Sequence, residues 1–361
     1  MSLSLTARGF LPSSILSPSP TPKKRTREKR TTDMKDFREL DFEQVLEQLL
    51  IPRPTCVLFH VHPDADAIGS AFALAAFLRS VGSPAYCLCA DEIPQRLRFL
   101  TDGLQDSVLP ESLPPSFTDF RVISVDTASP AQMGALYETY GDKVSLMIDH
   151  HEMGEPYADH LICPDAAACG EIIFDLLAAS GKEVPESCAR LLYAAISADT
   201  GGFRYSNVTK ETHLRAAALV ESGIDVAEIS HQLFGIKSLA VLRAERLGFE
   251  KLRLFEGGKI GIAAISFEDK KFNKLQDEHL STMVDMVRSV EGVEIAVAIR
   301  QPTQERSFRV SMRANIDFDV AAVCATFGGG GHRRAAGATL VAKDTDEAER
   351  LVLNAILNSM R

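Results

Sequence analysis

The sequence predicts an α/β protein in which a parallel-sheet N-terminal domain is joined by a helical connector to a smaller α/β C-terminal domain. Short, nearly continuous apolar runs alternate with helical patterns, as is typical of a parallel sheet covered on both faces. A further set of strand-like runs follows residue 255 and indicates a second sheet. With 361 residues, the chain is long enough to bury two cores.

Four segments follow from this pattern. Residues 1–35 are rich in Ser, Thr, Pro and basic side chains, a composition that indicates a disordered tail. The alternatives are a transit peptide or an over-extended start, in which the natural protein begins near Met34. Residues 36–225 are predicted to form the first domain. A helical connector is expected over residues 226–254, and the second domain over residues 255–361.

The elements are predicted in order along the chain. In the first domain, helical patterns lie at 42–50, 71–78 and 189–195, and apolar strand-like runs at 56–59, 122–125 and 144–148. In the second domain, strands are predicted at 259–265, 293–299 and 307–313, and helices at 280–290, 320–327 and 346–360.

The segment after the first strand is the most informative. It carries His60, Asp64 and Asp66 at His-x-x-x-Asp-x-Asp spacing, directly before a helical pattern. Carboxylates with imidazole suit a divalent ion such as Mn²⁺ or Mg²⁺, whereas thiolates would suit zinc. Helix capping is the alternative, because an Asp side chain accepts hydrogen bonds from free N–H groups at a helix start. Capping explains one Asp but not two with a His, so we predict a metal site.

Further polar residues follow the next two strands. Asp126 ends the second run, and Asp149, His150 and His151 end the third. Because ligands gather at the carboxyl ends of parallel strands, we expect these side chains near the first cluster. Asp199, after the helical run 189–195, is a fourth candidate.

Residues that could contact a substrate lie in both domains. Glycines 328–331 precede His332, and consecutive backbone N–H groups in such a turn bind anions, although glycines also cap helices. Arg313 ends a predicted strand in the same domain. Arg204 follows Gly201-Gly202-Phe203, where substrate contact and a plain surface position are both open. The predicted substrate-binding residues are Arg313, Gly330, Gly331, His332 and Arg204.

The order of these motifs resembles that of the DHH phosphoesterase superfamily, named for the Asp-His-His found here at 149–151. The Asp-Thr-Gly at 199–201 also fits, and residues 328–337 are similar to the glycine-rich signature of the associated C-terminal substrate-binding domain. The resemblance covers roughly residues 40–361. It implies a hydrolase of short oligoribonucleotides and of 3′-phosphoadenosine 5′-phosphate that acts through a metal-activated water, with Mn²⁺ favoured over Mg²⁺.

The resemblance also implies roles. His60 and Asp64 would bind one metal ion; Asp66, His150 and Asp199 would bind the other. Asp126 stands alone between these clusters, so we expect it to bridge the ions. His151 would contact phosphate or donate a proton to the leaving oxygen, unless it is a buried histidine behind the ligands. Asp149 is expected to orient a neighbouring histidine rather than bind metal.

Composition and net charge limit the kinds of partner that the chain is expected to bind. The net charge is −10, and residues 34–361 carry about −15 because residues 1–33 hold seven Lys or Arg and two acids. Because binding to long duplex nucleic acid depends on basic surface, the acidic region 34–361 is unsuited to it. Short single-stranded RNA and small nucleotides are still suitable substrates. No apolar run approaches the roughly 18 residues of a membrane helix, so no membrane partner is expected. The seven scattered Cys indicate reduced thiols in a cytoplasmic protein. The sequence leaves the oligomeric state undetermined, and a homodimer is compatible with it.

Rival functions share this pattern. A cyclic- or linear-dinucleotide phosphodiesterase uses the same chemistry, and a catalytically silent nucleotide-binding regulator is the alternative that is not an enzyme. The silent regulator is disfavoured because every expected ligand is present. A RecJ-like exonuclease and a family II pyrophosphatase are less consistent with the compact acidic chain and its glycine-rich C-terminal signature.

Overall fold

The computed structural model describes residues 37–102, 104, 113–114, 117–152 and 155–360. The predicted tail at 1–35 lies outside these residues. The described chain divides into two compact units, the first ending at Ile236 and the second beginning at Lys237.

The first unit contains a five-stranded sheet. Its strands are β1 (Thr55–Leu58), β2 (Ala85–Leu88), β3 (Arg121–Val125), β4 (Val144–Asp149) and β5 (Asp159–Ile162), in the order β2-β1-β3-β4-β5. All four pairings are parallel, which confirms the predicted sheet. The chain reverses its direction across the sheet between β1 and β3. This reversal is the topological switch point at which open α/β sheets bind ligands.

Seven helices accompany this sheet in the described residues: α1 (Phe42–Leu50), α2 (Ala65–Ser80), α3 (Leu136–Tyr140), α4 (Cys169–Ala179), α5 (Glu186–Asp199), α6 (Lys210–Glu221) and α7 (Val226–Ser230). α2 is buried from Ala65 to Leu78 and packs on α4 and α5. Gly69 permits this close approach, because a Cβ there would lie 2.5 Å from the Leu191 carbonyl oxygen. α2 and α5 therefore lie close together, and their ends carry predicted ligands.

The second unit contains a mixed six-stranded sheet. Its strands are β6 (Leu252–Phe255), β7 (Ile260–Ile265), β8 (Ile295–Arg300), β9 (Ser307–Ala314), β10 (Gly330–His332) and β11 (Ala335–Val341), in the order β10-β11-β9-β8-β7-β6. Only the β7–β8 pairing is parallel among these six strands. Together the two sheets confirm the predicted α/β class.

The helices of the second unit cover its sheet unevenly. They are α8 (Leu239–Glu250), α9 (Phe267–Phe272), α10 (Met283–Arg288), α11 (Val320–Ala325) and α12 (Thr345–Ser359). α11 and α12 bury one face through Phe308, Val310 and Met312. On the other face, α8 and α10 pack chiefly over the β7–β8 side, where Ala296 and Ala298 are buried. The outward side chains of β9, β11 and β10 on that face are partly or fully exposed.

Two local expectations differ from the structure. Within the predicted connector, α7 and a π-helical turn (His231–Gly235) belong to the first unit, α8 belongs to the second, and residues 252–255 form strand β6 rather than helix. The glycine segment was expected to be a turn, but Gly330–His332 pairs with β11 as an edge strand. Pairing with β11 therefore outweighs the low strand propensity of glycine.

No helix in the described residues has the length and apolar character needed to span a membrane.

Candidate metal centre

The loop after β1 positions His60 and Asp64. Asp64 caps α2, because its Oδ1 accepts hydrogen bonds from the Asp66 and Ala67 amides, both at 3.0 Å. Its Oδ2 lies 3.8 Å from His60 Nε2. His60 Nδ1 lies 2.8 Å from the Val61 carbonyl, which directs Nε2 toward the carboxylates. Capping and metal binding are therefore compatible, since each uses a different Asp64 oxygen.

Asp66 is completely buried and is held by the start of α4. Its Oδ2 accepts a hydrogen bond from the Cys169 amide at 2.6 Å, and its Oδ1 accepts one from the Gly170 amide at 2.9 Å. The Ser70 hydroxyl donates to the same Oδ1 at 2.8 Å. The positive end of a helix favours a carboxylate at this position. This support for Asp66 could not be foreseen from the sequence, because Cys169 and Gly170 lie more than 100 positions from Asp66; a Cβ at Gly170 would lie 2.8 Å from Ala195 Cβ and 3.4 Å from Asp66 Oδ1.

Asp126 lies between the two histidines that flank the centre. It follows β3 with φ +53°, an uncommon conformation for a residue other than glycine. Its Oδ2 lies 3.6 Å from His60 Nε2, and its Oδ1 lies 3.5 Å from His150 Nε2. This buried Oδ1 has no hydrogen-bond partner among the described residues. A buried carboxylate oxygen without a partner is costly, and a cation would satisfy it.

His150 faces three carboxylates. Its Nδ1 lies 3.2 Å from the Ala166 carbonyl, and this contact turns Nε2 inward. Nε2 is 3.5 Å from Asp199 Oδ2 and 3.8 Å from Asp66 Oδ2, in addition to its approach to Asp126. Asp199 is the last residue of α5, so this donor comes from a helix end rather than a strand end.

Asp149 supports the two histidines that follow it. Its Oδ1 accepts hydrogen bonds from the His150 amide at 2.7 Å and the His151 amide at 3.3 Å, and lies 2.8 Å from His151 Nδ1. Burial opposes a charge on His151, but Asp149 outweighs burial and raises the His151 pKa to about 9. These contacts fix the backbone of both histidines and the ring of His151, and an orienting role for Asp149 stays a prediction.

The carboxylates of the cluster repel one another. Burial and then Asp126 raise the pKa of Asp66 to about 7, and burial and then Asp66 raise the pKa of Asp199 well above its usual range. Burial opposes charge on both His60 and Asp126, but their mutual attraction outweighs it. With help from Asp64, the pKa of His60 rises to about 10; with help from His150, that of Asp126 falls to about 2. Added positive charge would stabilise the ionised forms of Asp66 and Asp199.

Three sets of donor atoms, each with its members within 4.8 Å of one another, could hold a metal ion: His60, Asp64 and Asp126; Asp66, His150 and Asp199; and Asp126, His150 and His151. The donors are oxygen and imidazole nitrogen, which suit hard or borderline divalent ions. The Cys169 thiol belongs to none of the three sets, and its Sγ lies 3.6 Å from the Ile148 carbonyl oxygen. The structure thus brings all six predicted metal ligands together, and they fit a divalent metal.

None of the predicted substrate-binding residues belongs to the three donor sets. Arg204 donates to the Gly201 carbonyl, and its guanidinium lies 6.0 Å from the ring centroid of Phe234. It lines a pocket of about 240 Å³ within the first unit. In the second unit, Ala335 of β11 pairs with Arg313 of β9 on one side and with His332 of β10 on the other. Arg313 and His332 therefore share one cross-strand row.

Comparisons with known proteins agree with this geometry. Residues 54–196 match the DHH family, N-terminal domain, and residues 257–358 match the DHHA1 domain. The chain is 32% identical over 306 residues to the bifunctional oligoribonuclease and PAP phosphatase NrnA of Thermus thermophilus, covering 84% of this chain and 89% of the relative. It is 27% identical over 298 residues to NrnA of Bacillus subtilis, covering 81% and 90% of the two chains.

A solved structure shares the fold. The exopolyphosphatase-related protein of Bacteroides fragilis matches with a TM-score of 0.79 at 21% identity, over 88% of this chain and 95% of that chain. The fold and the clustered ligands define a metal-dependent phosphoesterase, a class of hydrolase. The chain belongs to the DHH family and carries the DHHA1 domain at its C-terminal end. The superfamily resemblance drawn from the motifs is confirmed.

Proposed function

We propose that this protein hydrolyses short oligoribonucleotides and 3′-phosphoadenosine 5′-phosphate. The observation that carries the proposal is the convergence of six oxygen and imidazole donors at the sheet's switch point, with Asp126 between the two histidines. The names of the Thermus and Bacillus relatives state these two substrates, and this chain covers about nine tenths of each relative.

Two divalent ions are proposed as cofactors. His60, Asp64 and Asp126 would hold one, and Asp66, His150, Asp199 and again Asp126 would hold the other. When bound, such a pair lowers the pKa of a water and offsets charge on phosphoryl oxygens. The mixed carboxylate and imidazole donors favour Mn²⁺, with Mg²⁺ as the alternative, and the lack of thiolate ligands in the described cluster disfavours Zn²⁺.

His151 is proposed to act on the substrate itself. Asp149 engages Nδ1 and so presents Nε2 as the ring nitrogen for a phosphate oxygen or the leaving oxygen. The His151 side chain is 30% exposed, whereas that of His150 is 7% exposed. His151 is therefore the more accessible of the two, and it is the proposed phosphate contact or proton donor.

Substrate binding is proposed for residues of both units. Arg313 and His332 share a row of the second sheet, and Gly330 has open space where a side chain would lie. Gly331 belongs to the same edge strand, and Arg204 lines the pocket of the first unit. We also propose a cytoplasmic location, supported by seven reduced cysteine thiols. A homodimer is proposed as the oligomeric state, which size-exclusion chromatography with light scattering would test.

One experiment tests the substrate class. The purified chain, stripped with EDTA and reloaded with Mn²⁺ or Mg²⁺, is assayed against a dinucleotide, a five-nucleotide RNA, 3′-phosphoadenosine 5′-phosphate, a cyclic dinucleotide and pyrophosphate. We expect metal-dependent turnover of the two RNAs and the adenosine bisphosphate, faster with Mn²⁺. Turnover of pyrophosphate alone, or of the cyclic dinucleotide alone, would contradict the proposal.

A further inference from the structure

Strand β9 presents a regular row of polar side chains on the open face of the second sheet. Arg309, Ser311 and Arg313 alternate with Phe308, Val310 and Met312, which are buried on the opposite face. β9 pairs with β11 without interruption over seven residue pairs, so this alternation is regular. Successive side chains on one face of a strand lie about 6.7 Å apart, which places Arg309 about 13 Å along the strand from Arg313.

The side chains that neighbour this row on strands β11 and β10 are small. Ser311 pairs with Gly337, which pairs in turn with Gly330 of the edge strand. Arg313 is flanked by Ala335, and Arg309 by the exposed Thr339. Small side chains between the two arginines leave the face open to an extended ligand.

The Arg309 end of the face carries excess positive charge. β8 places Arg300 directly opposite Arg309, although like charges in this position destabilise a sheet. The Asp277 carboxylate lies 3.6 Å from Arg300, 3.7 Å from Arg309 and 3.1 Å from the buried Lys270. Three cations thus surround one carboxylate. Arg300 Nε is also buried without a hydrogen-bond partner among the described residues.

This excess of positive charge is local to an acidic chain. The whole sequence has a net charge of −10, so a surplus of cations on one open face is not a general property of the surface. An anionic ligand bound at Arg309 would offset the repulsion between the two paired arginines. The regular spacing along β9 suits a ligand with repeated negative charges.

We propose that this face binds the sugar-phosphate backbone of a short RNA, with Arg309 contacting a phosphate beyond the nucleotide held at Arg313. The inference rests on the proposed function and deepens it. The two phosphates of 3′-phosphoadenosine 5′-phosphate are carried on one ribose, so a single nucleotide at Arg313 does not span the distance to Arg309. Arg309 is therefore a residue that selects longer substrates over the adenosine bisphosphate.

The test compares two substrates in one variant. In Arg309→Ala, the ratio of KM for a five-nucleotide RNA to KM for 3′-phosphoadenosine 5′-phosphate should rise about tenfold, the lower end for a hydrogen bond to a charged group. The slope of log KM for the RNA against log salt should fall in magnitude by about 0.7, as expected for one lost phosphate contact on a single strand. Arg309→Lys keeps the charge and should restore most of the ratio.

A matched control and an opposing variant separate binding from structure. Arg350 of α12 is similarly exposed and ion-paired, with Glu347 at 3.4 Å, so Arg350→Ala should leave the ratio unchanged. Asp277→Asn removes the carboxylate that competes for Arg309 and should lower KM for the RNA. If Arg309 only neutralises Asp277, both Arg309→Ala and Asp277→Asn would lower Tm without changing the ratio, and the inference would be overturned.

Direct binding keeps this inference separate from the proposed function. If the wild-type chain hydrolyses neither substrate, the proposed function fails, and fluorescence anisotropy with a labelled five-nucleotide RNA still decides the role of Arg309. We expect about tenfold weaker binding by Arg309→Ala than by the wild type or by Arg350→Ala. Equal affinities in all three proteins would overturn the inference.

Discussion

The metal centre of the first unit and the open sheet face of the second unit are built in opposite ways. In the candidate metal centre the charged groups lie on short side chains that are buried and fixed by hydrogen bonds. Asp66, for example, is completely buried and accepts three hydrogen bonds. The open face carries the exposed Arg309 and the half-buried Arg313, with glycine and alanine on the neighbouring strand. Reacting groups need fixed positions, whereas a ligand of variable length is better served by flexible charges on a flat surface.

This contrast predicts where substitutions act. A change in the metal centre should lower kcat and metal content, because its side chains hold one another in place. A change on the open face should raise KM and leave metal content unaltered.

Asp126→Asn should lower kcat by about 10³-fold or more with both RNA and the adenosine bisphosphate, because both proposed ions would lose a shared ligand. Asparagine tolerates the left-handed backbone at this position, so the fold should persist. Steady-state kinetics with elemental analysis of bound metal measures the effect.

Asp119→Asn is the control for this substitution. Asp119 has a similar φ of +49° but an almost fully exposed side chain, so its substitution should leave kcat within experimental error. A tenth of wild-type kcat in Asp126→Asn, with full metal content, would show that Asp126 does not bridge the ions.

Asp149→Ala should lower kcat by roughly 10- to 100-fold, the usual effect of removing a residue that orients a metal ligand. The substitution deprives the His150 and His151 amides and the His151 ring of a shared acceptor. Isothermal titration calorimetry with Mn²⁺ should also show weaker metal binding. An unchanged kcat would assign Asp149 to folding alone.

Arg313→Ala should raise KM by roughly 10- to 150-fold with little change in kcat, as expected when a hydrogen bond to a charged phosphate is lost. His332→Ala should raise KM by a smaller factor. Metal content should equal that of the wild type in both variants. A loss of bound metal in either one would end the proposed division of roles between the two units.

Substitutions of two glycines of β10 distinguish a structural role of this strand from a role in substrate binding. Gly331 has φ +138° and its Cβ would lie 2.6 Å from the Ala335 carbonyl oxygen, so Gly331→Ala should lower the free energy of unfolding by about 1–3 kcal/mol. A Cβ at Gly330 would extend into open space, so Gly330→Ala should leave the free energy of unfolding unchanged and alter KM alone. Equal loss of stability in the two variants would make the whole segment structural.

Much of the metal centre was predictable because strand, loop and helix are local in sequence. His60, Asp64 and Asp66 lie within seven residues, and the alternating chain order places Asp126 and His150 at the same sheet edge. The bond between Asp66 and the α4 amides was not predictable, because it joins residues more than 100 positions apart. Only the packing of α2 against α4 and α5 brings these groups together.

The second unit was less predictable where glycine dominates. Strand β10 has no periodic apolar pattern, and its strand conformation depends on pairing with β11. The glycines on either side of Gly330 are required because the backbones approach closely: a Cβ at Gly329 would lie 2.2 Å from the Gly337 carbonyl oxygen, and one at Gly331 would lie 2.6 Å from the Ala335 carbonyl oxygen. The preceding Gly328, with φ +74° just beyond α11, matches the alternative of a helix-capping glycine.

The backbone at Asp126 sets stability against activity at a single position. A residue other than glycine in the left-handed region costs about 1–2 kcal/mol, and burial of a carboxylate oxygen without a partner adds to that cost. Glycine would remove both of these costs, but it would also remove the attraction to His60 that stabilises the ionised Asp126, together with the proposed bridging ligand. Thermostability engineering of this chain should therefore keep Asp126 even though its backbone conformation is unfavourable.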